Sequence, residues 1–121
     1  MTDKKRIVHL TTVDISLSHL LLNQMLFLQR VGYEVESISA PGPFVKWIVD
    51  AGIVHHSVGM TRQMLSPFRD LWALIVLTSI LRREKYDLVH VHTPKASFLG
   101  QIAARLAGIP IVIRTLHGFY F

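Results

Sequence analysis

Five short apolar stretches, rich in β-branched residues, alternate along the chain with longer stretches in which apolar residues recur at helical spacing. The short stretches are almost continuously hydrophobic, which is typical of parallel strands whose sheet is covered on both faces. We predict that each of them is a β-strand. They are Arg6–Thr11, Tyr33–Ser39, Ile53–Val58, Asp87–His92 and Pro110–Thr115.

Four helices are predicted between these strands, because apolar residues recur there every three or four positions. They are Leu17–Val31, Phe44–Ala51, Ser66–Glu84 and a fourth that follows Thr93-Pro94 and ends at Gly108. Glycines that end helices and a Ser-Pro pair that begins one support these boundaries. In the fourth helix, we predict that the face carrying Phe98, Ile102 and Leu106 is buried.

The alternation of strands and helices predicts an α/β domain of the doubly wound, Rossmann-like type, with a five-stranded parallel sheet. Right-handed crossovers give the strand order 3-2-1-4-5. The fifth strand then lies at an edge of the sheet although its pattern is that of an interior strand, and only Leu116 and His117-Gly-Phe-Tyr-Phe121 follow it. We therefore expect that the domain, residues 1–121, is incomplete at its C-terminal end or that a partner covers this edge.

The composition favours one folded domain and excludes several classes of site. The chain has 121 residues, of which 50% are hydrophobic and 17% are charged, as expected of a globular domain rather than a disordered chain. It has no cysteine, which excludes a disulfide framework, a cysteine-containing zinc site and a thiol nucleophile. It also lacks a glycine-rich phosphate-binding motif and an Asp-x-Asp pair that could hold a divalent metal. We expect neither a metal nor a cofactor.

The charge balance favours an anionic partner. Thirteen Lys and Arg residues against eight Asp and Glu residues give a formal net charge of +5, which suits a phosphate-bearing ligand or an acidic lipid. The basic residues are scattered and no nucleic-acid-reading motif is present, so nucleic acid is not the expected partner. The longest strongly apolar run, Leu71–Leu77, is too short to span a membrane. We expect a cytoplasmic protein, with peripheral membrane contact as one option.

The predicted topology places a ligand site at the point where the winding direction reverses, between the first and fourth strands. The loops that leave these two strands lead into helix N-termini, whose free N–H groups and dipole attract anions. Lys95 adds a positive charge there, although it could simply be solvated, and His117 at the end of the fifth strand could reach the same cleft. The candidate residues in the two loops are Thr12, Asp14, Ser16, Thr93, Pro94, Lys95 and Ser97.

The histidines of the predicted strands and Arg62 are each assigned a structural role or weighed against a functional one. His90 and His92 alternate on one strand face, as some metal ligands do, but without a nearby carboxylate we interpret them as hydrogen-bonded strand residues. His9 is expected to be structural. His55 and His56 are expected to be solvated on an edge strand. Arg62 lies in a methionine-rich loop that could touch a membrane or an isoprenoid acceptor, or could pack on the sheet edge.

Two segments resemble the N-terminal domain of family 4 glycosyltransferases with the GT-B fold. They are Tyr86–Pro110, which contains His92-Thr-Pro-Lys-Ala96, and Arg114–Phe121, which contains His117-Gly-Phe119. The segment Ile7–Ser16 is similar to the first strand and loop of members that build bacterial surface polysaccharides. The resemblance extends over essentially the whole chain.

The resemblance implies an enzyme that transfers a sugar from a nucleotide-sugar donor to an acceptor, with retention and without a metal. In the polysaccharide-building members the acceptor is often a lipid-diphosphate-linked saccharide at the inner membrane face. By the same resemblance, His117 is the catalytic-site histidine beside the donor, where an imidazole could hydrogen-bond the leaving diphosphate. The resemblance places Thr93, Pro94 and Lys95 on the acceptor side, and Thr12 and Asp14 in the first loop.

The chain departs from the family pattern in two respects. Its first loop lacks the Gly-Gly pair that lets the backbone approach the donor phosphates, and the C-terminal donor domain is absent from residues 1–121. We therefore expect the chain to be inactive alone. Two alternatives remain at this point: a non-catalytic subunit of a split glycosyltransferase that binds acceptor or membrane, and an unrelated anion-binding doubly wound domain.

Overall fold

A computed structural model describes residues 5–12, 21–59, 67–92 and 94–115, apart from the side chains of Pro94 and Lys95. The strands are β1 (Arg6–Leu10), β2 (Glu34–Ser39), β3 (Val54–Ser57), β4 (Leu88–Val91) and β5 (Ile111–Arg114). The helices are α1 (Leu22–Arg30), α2 (Val45–Asp50), α3 (Pro67–Glu84) and α4 (Pro94–Ala107). The predicted helix residues 17–20 and the predicted helix start at Ser66 lie outside the described residues.

All five strands are parallel, and their order is β3-β2-β1-β4-β5. The predicted fold class and strand order are therefore confirmed. β1 lies at the centre of the sheet, where His9 is opposite Ser37 of β2 on one side and His90 of β4 on the other. None of the helices in the described ranges is long and apolar enough to span a membrane.

Helices cover the two faces of the sheet in pairs, because side chains alternate between the faces along each strand. On one face, α3 and α4 pack through Leu77 and Leu99 against Val8 of β1 and Val91 of β4. On the other face, α1 and α2 form a smaller cluster that includes Val35 of β2. The second cluster is otherwise made of Leu21, Met25, Ile48 and Ile53.

The predicted buried face of α4 is wrong. Phe98 is 63% exposed and Leu106 is 59% exposed, whereas Leu99 and Ala103 are buried. The reason is the close approach of α4 to the sheet: a Cβ added at Gly100 would lie 2.6 Å from side-chain atoms of both Leu10 and Val91. Gly100 permits this close approach, and α4 accordingly turns Ala96, Leu99 and Ala103 to the core and leaves Phe98 and Leu106 on its outer face.

The edge position of β5 is confirmed, and its side chains are poorly covered. Ile111 and Ile113, on the face of His90, are 51% and 42% exposed, and Val112, on the opposite face beside α4, is 38% exposed. The outer face of α4 and the neighbouring edge strand therefore leave apolar side chains uncovered on the described part of the chain, with Arg105 and Arg114 among them. Surfaces of this kind usually meet another protein surface.

A charged network ties the strands together at the end of the sheet where they begin. The Arg6 guanidinium donates to Glu36 at 2.6 Å and to the Glu84 carboxylate at 3.2 Å, and it also contacts the Glu84 carbonyl oxygen. The Tyr86 hydroxyl donates to Glu36, and His56 Nε2 lies 2.9 Å from the same carboxylate. Burial raises the pKa of Glu36, but the bonds from Tyr86, His56 and Arg6 outweigh it and hold this pKa below its usual value.

The prediction that His55 and His56 are solvated is also wrong. Both rings are half-buried, and His55 Nδ1 lies 2.8 Å from the Ser37 hydroxyl. The reason is that β2 presents polar side chains beside β3, so each edge imidazole has a hydrogen-bond partner on the neighbouring strand.

The packing of α4 makes a prediction about two leucines on opposite faces of one helix. Leu99→Ala should lower the free energy of unfolding by about 2–5 kcal/mol, because it leaves a cavity against the sheet. Leu106→Ala should change it by no more than about 0.5 kcal/mol, since that side chain is largely solvated. Urea denaturation of both variants measures the difference, and equal losses would contradict the observed orientation of α4.

The charged network makes a prediction about pH. Because the pKa of Glu36 is lowered in the folded state, its stabilising contribution should be complete above its ordinary value of 4.5 and should disappear as the pH falls below it. Glu36→Gln should therefore cost about 1–3 kcal/mol at pH 7 and progressively less toward pH 3. Glu34→Gln is the matched control: it has the same Arg6 partner at 3.1 Å, but its side chain is 52% exposed, and we expect a smaller effect. A Glu36→Gln cost that stays constant over this pH range would refute the assignment.

Candidate functional site

The predicted cleft lies where β1 and β4 finish side by side in the middle of the sheet. The backbone pairing continues past both strands, because the His92 amide donates to the Leu10 carbonyl at 3.1 Å. The Thr11 amide donates to the Ile38 carbonyl of β2 at 3.0 Å, and the Thr115 amide to the Val91 carbonyl of β4 at 3.0 Å. The ends of four strands are therefore held in register at the point where the winding reverses.

The structure describes four of the sequence-predicted site residues at this end: Thr12 and Ser97 with their side chains, and Pro94 and Lys95 by their backbone alone. Thr12 is buried directly after β1, and its carbonyl accepts from the Ala40 amide at 3.0 Å. Ser97 is buried in the first turn of α4, and its hydroxyl has no hydrogen-bond partner among the described residues. Lys95 lies in the same first turn, as the second residue of α4 after Pro94. The remaining predicted residues, Asp14, Ser16, Arg62, Thr93 and His117, lie outside the described residues.

Three imidazole rings meet on one face of the sheet at this end of the strands. His9 of β1 is paired with His90 of β4, and His92 follows on the same face two residues later. Ring centroids are 5.1 Å apart for His9 and His90, 5.1 Å for His9 and His92, and 4.0 Å for His90 and His92. We call this group the histidine cluster.

The histidine cluster is largely shielded from water and uncharged at its centre. His9 is fully buried, and its Nδ1 lies 2.9 Å from Nε2 of His92, which is 2% exposed. Burial lowers the pKa of His9 to about 3, and a positive charge on His90 acts in the same direction. His90 is half-buried, and its Nε2 lies 2.6 Å from the Thr115 hydroxyl. His9 is therefore a neutral imidazole at neutral pH.

The histidine cluster was missed as a unit by the sequence analysis, which considered His90 and His92 together but treated His9 as structural. The signal was available in the predicted strand order. Once strands 1 and 4 are neighbours, the register places His9 beside His90. Long-range proximity of this kind follows only from a topology, since His9 and His90 are far apart in sequence.

A groove of about 640 Å³ runs along the outer face of α4 beside the edge strand β5. It is lined by Phe98, Ile102 and Leu106, with Gln101, Arg105 and Arg114 beside them, and Ser97 lines it at the first turn of α4. One end of the groove therefore adjoins the predicted cleft, and we interpret its apolar part along α4 as a packing surface.

The family described as "Glycosyl transferase 4-like" matches residues 6–121 of this chain. A UDP-Gal:alpha-D-GlcNAc-diphosphoundecaprenol alpha-1,3-galactosyltransferase from Escherichia coli is 53% identical over 57 residues, which are 47% of this chain and 15% of that protein. The capsular polysaccharide biosynthesis glycosyltransferase CapM from Staphylococcus aureus is 32% identical over 114 residues, which are 94% of this chain and 29% of that protein. The chain therefore spans less than a third of the length of these curated relatives.

The fold has a counterpart among solved structures. The crystal structure of a glycosyltransferase from Rickettsia africae ESF-5 matches 98% of this chain with a TM-score of 0.75 and 20% sequence identity. This chain corresponds to 31% of that structure. At this level of identity the likeness shows a shared fold.

Proposed function

The chain belongs to the glycosyl transferase 4-like family, and on this premise we propose that it is the N-terminal, acceptor-side domain of an enzyme that transfers a sugar. The family match over residues 6–121 is the observation that carries the proposal. It also sets aside the alternative of an unrelated anion-binding domain. We infer that the donor is a nucleotide sugar and the acceptor a lipid-linked saccharide used in polysaccharide biosynthesis. The names of the E. coli and S. aureus relatives support this substrate class.

The proposed reaction is a hexosyl transfer with retention, and we propose that it uses neither a metal nor a cofactor. The charge of the leaving diphosphate would be met by the chain's own groups at the ends of β1 and β4. The first turn of α4 offers unpaired backbone N–H groups and the positive end of the helix dipole, and Lys95 belongs to this turn. His117 would donate a hydrogen bond to the leaving oxygen or to a sugar hydroxyl.

The acceptor side of the proposed cleft is assigned to Thr93, Pro94, Lys95, Ser97 and Arg62. Ser97 is supported by its buried hydroxyl, which lacks a partner among the described residues and could bind an acceptor oxygen. Thr12, Asp14 and Ser16 form the loop proposed for the donor phosphates. The net charge of +5 suits an enzyme that works peripherally at the cytoplasmic face of a membrane on a diphosphate-bearing lipid.

We also propose that the rest of the enzyme, including its donor domain, packs on the apolar surface formed by β5 and the outer face of α4. Phe98 and Leu106 are each more than half exposed, and all four residues of β5 are exposed. The curated relatives are more than three times as long as this chain, so they contain enough further sequence to cover such a surface.

The transfer reaction is tested with the whole protein that contains this chain, a nucleotide sugar and a lipid-diphosphate-linked saccharide. His117→Ala should lower kcat by about 100-fold or more, as loss of a donor to developing negative charge does elsewhere, while the circular dichroism spectrum stays unchanged. His55→Gln, on the edge strand β3, is the control and should leave kcat unchanged.

The chain of residues 1–121 alone should show no transfer. An unchanged kcat for His117→Ala would remove this residue from the site, and turnover by the chain alone would contradict the proposed division between two domains.

The packing surface is tested by chemical labelling, because the chain has no cysteine of its own. In residues 1–121, Leu106→Cys and Phe27→Cys should both react rapidly with a maleimide, since these side chains are 59% and 54% exposed. In the whole protein, with its own cysteines replaced, Leu106→Cys should react at least about tenfold more slowly and Phe27→Cys at an unchanged rate. Equal labelling of Leu106→Cys in both proteins would show that the remainder of the enzyme packs elsewhere.

A further inference from the structure

The histidine cluster brings three metal-ligating side chains together at one point of the sheet. One ring nitrogen from each of His9, His90 and His92 lies within 4.8 Å of the other two. We propose that these residues bind one divalent transition-metal ion of the Zn²⁺ type. The inference does not depend on the proposed sugar transfer, in which no metal takes part.

The nitrogen pair of His9 and His92 is close to the separation that a metal needs, and the nitrogen of His90 lies within 4.8 Å of both. Zn²⁺ binds imidazole nitrogens at about 2.0–2.1 Å in a tetrahedral arrangement, which places the ligand nitrogens about 3.4 Å from one another. His9 Nδ1 and His92 Nε2 are 2.9 Å apart, so this pair must separate by about 0.5 Å to admit the ion. Small rotations of two rings supply such a displacement without moving the paired strands.

The protonation state also favours a cation. Each neutral imidazole has one N–H group and one nitrogen lone pair, and the lone pair is what a metal binds. His9 Nδ1 and His92 Nε2 face each other across neighbouring strands, so both rings can direct a lone pair at one ion. With Nδ1 as the ligand atom of His9, the proton of its neutral ring lies on Nε2.

The surroundings of His90 resemble those of a metal ligand. Its Nε2 lies 2.6 Å from the Thr115 hydroxyl, and a hydrogen bond from the non-coordinating nitrogen typically fixes the orientation of a ligating imidazole. His90 is half-buried while His9 and His92 are buried, so His90 offers the path from solvent. Three protein ligands leave a fourth coordination position, and because all three are neutral, that position would attract water or an anionic oxygen.

A second group of metal-ligating residues, Glu36, His56 and Glu84, does not support the same inference. The Arg6 guanidinium donates to both of its carboxylates and already supplies their positive charge. A divalent ion there would have to displace a salt-bridged arginine.

The test uses tag-free protein of residues 1–121, treated with a chelator and titrated with ZnCl₂ in an isothermal calorimeter. We expect one Zn²⁺ per chain with a Kd of about 1 µM or tighter, and a higher Tm in its presence. Co²⁺ should give the visible absorption bands of a tetrahedral site. His92→Ala and His90→Ala should each weaken Zn²⁺ binding by at least about 100-fold, whereas His55→Gln should leave it unchanged.

Folding of the variants is checked by circular dichroism, and His90→Ala is the safer substitution because His90 is only half-buried. If a folded His90→Ala variant binds Zn²⁺ as tightly as the unmodified chain, or if His55→Gln removes binding, the ion is bound elsewhere and the proposal is wrong. Absence of stoichiometric Zn²⁺ binding by the unmodified chain would overturn it as well. Neither result would bear on the sugar-transfer proposal, whose assays use the whole enzyme and His117.

Discussion

The direct pairing of β1 with β4 is the constraint on which the rest of the structure depends. Strands that are far apart in sequence become neighbours at the centre of the sheet, and the helices that follow them must then cover opposite faces. The same pairing brings the end of β1 and the start of α4 together, which defines the proposed cleft. It also places His9 beside His90, so the histidine cluster is a consequence of the topology rather than of any local motif.

The close packing of α4 on this central pair decides which of its surfaces is available to the rest of an enzyme. Gly100 and the alanines beside it allow the helix backbone to approach Leu10 and Val91 closely. Leu99 packs beside them on this face, and Phe98 and Leu106 lie on the outer face. An apolar outer face next to an apolar edge strand is costly in water, and this cost is what a further segment of a longer protein would relieve.

The sequence was sufficient for the strands and their order, because hydrophobic periodicity and crossover handedness depend on short-range patterns and general rules. It was insufficient for the orientation of α4, which has two competing apolar stripes. Side-chain size favoured the stripe of Phe98, Ile102 and Leu106, whereas the distance to the sheet favoured Ala96, Leu99 and Ala103. That distance is a property of the assembled domain, and a helix pattern alone does not contain it. The partners of His55 and His56 on β2 were missed for the same reason.

The distribution of carboxylates gives a further physical reason to place an anionic substrate at the end of the sheet where the strands finish. The described residues include six carboxylate side chains, which are Glu34, Glu36, Asp50, Asp70, Glu84 and Asp87. All except Asp70 lie toward the opposite end, in the first half of β2, at the ends of α2 and α3, or just before β4. Three of them, Glu34, Glu36 and Glu84, form salt bridges with the Arg6 guanidinium. The end of the sheet where the strands finish therefore carries little negative charge among the described residues, which suits the anionic substrate proposed above.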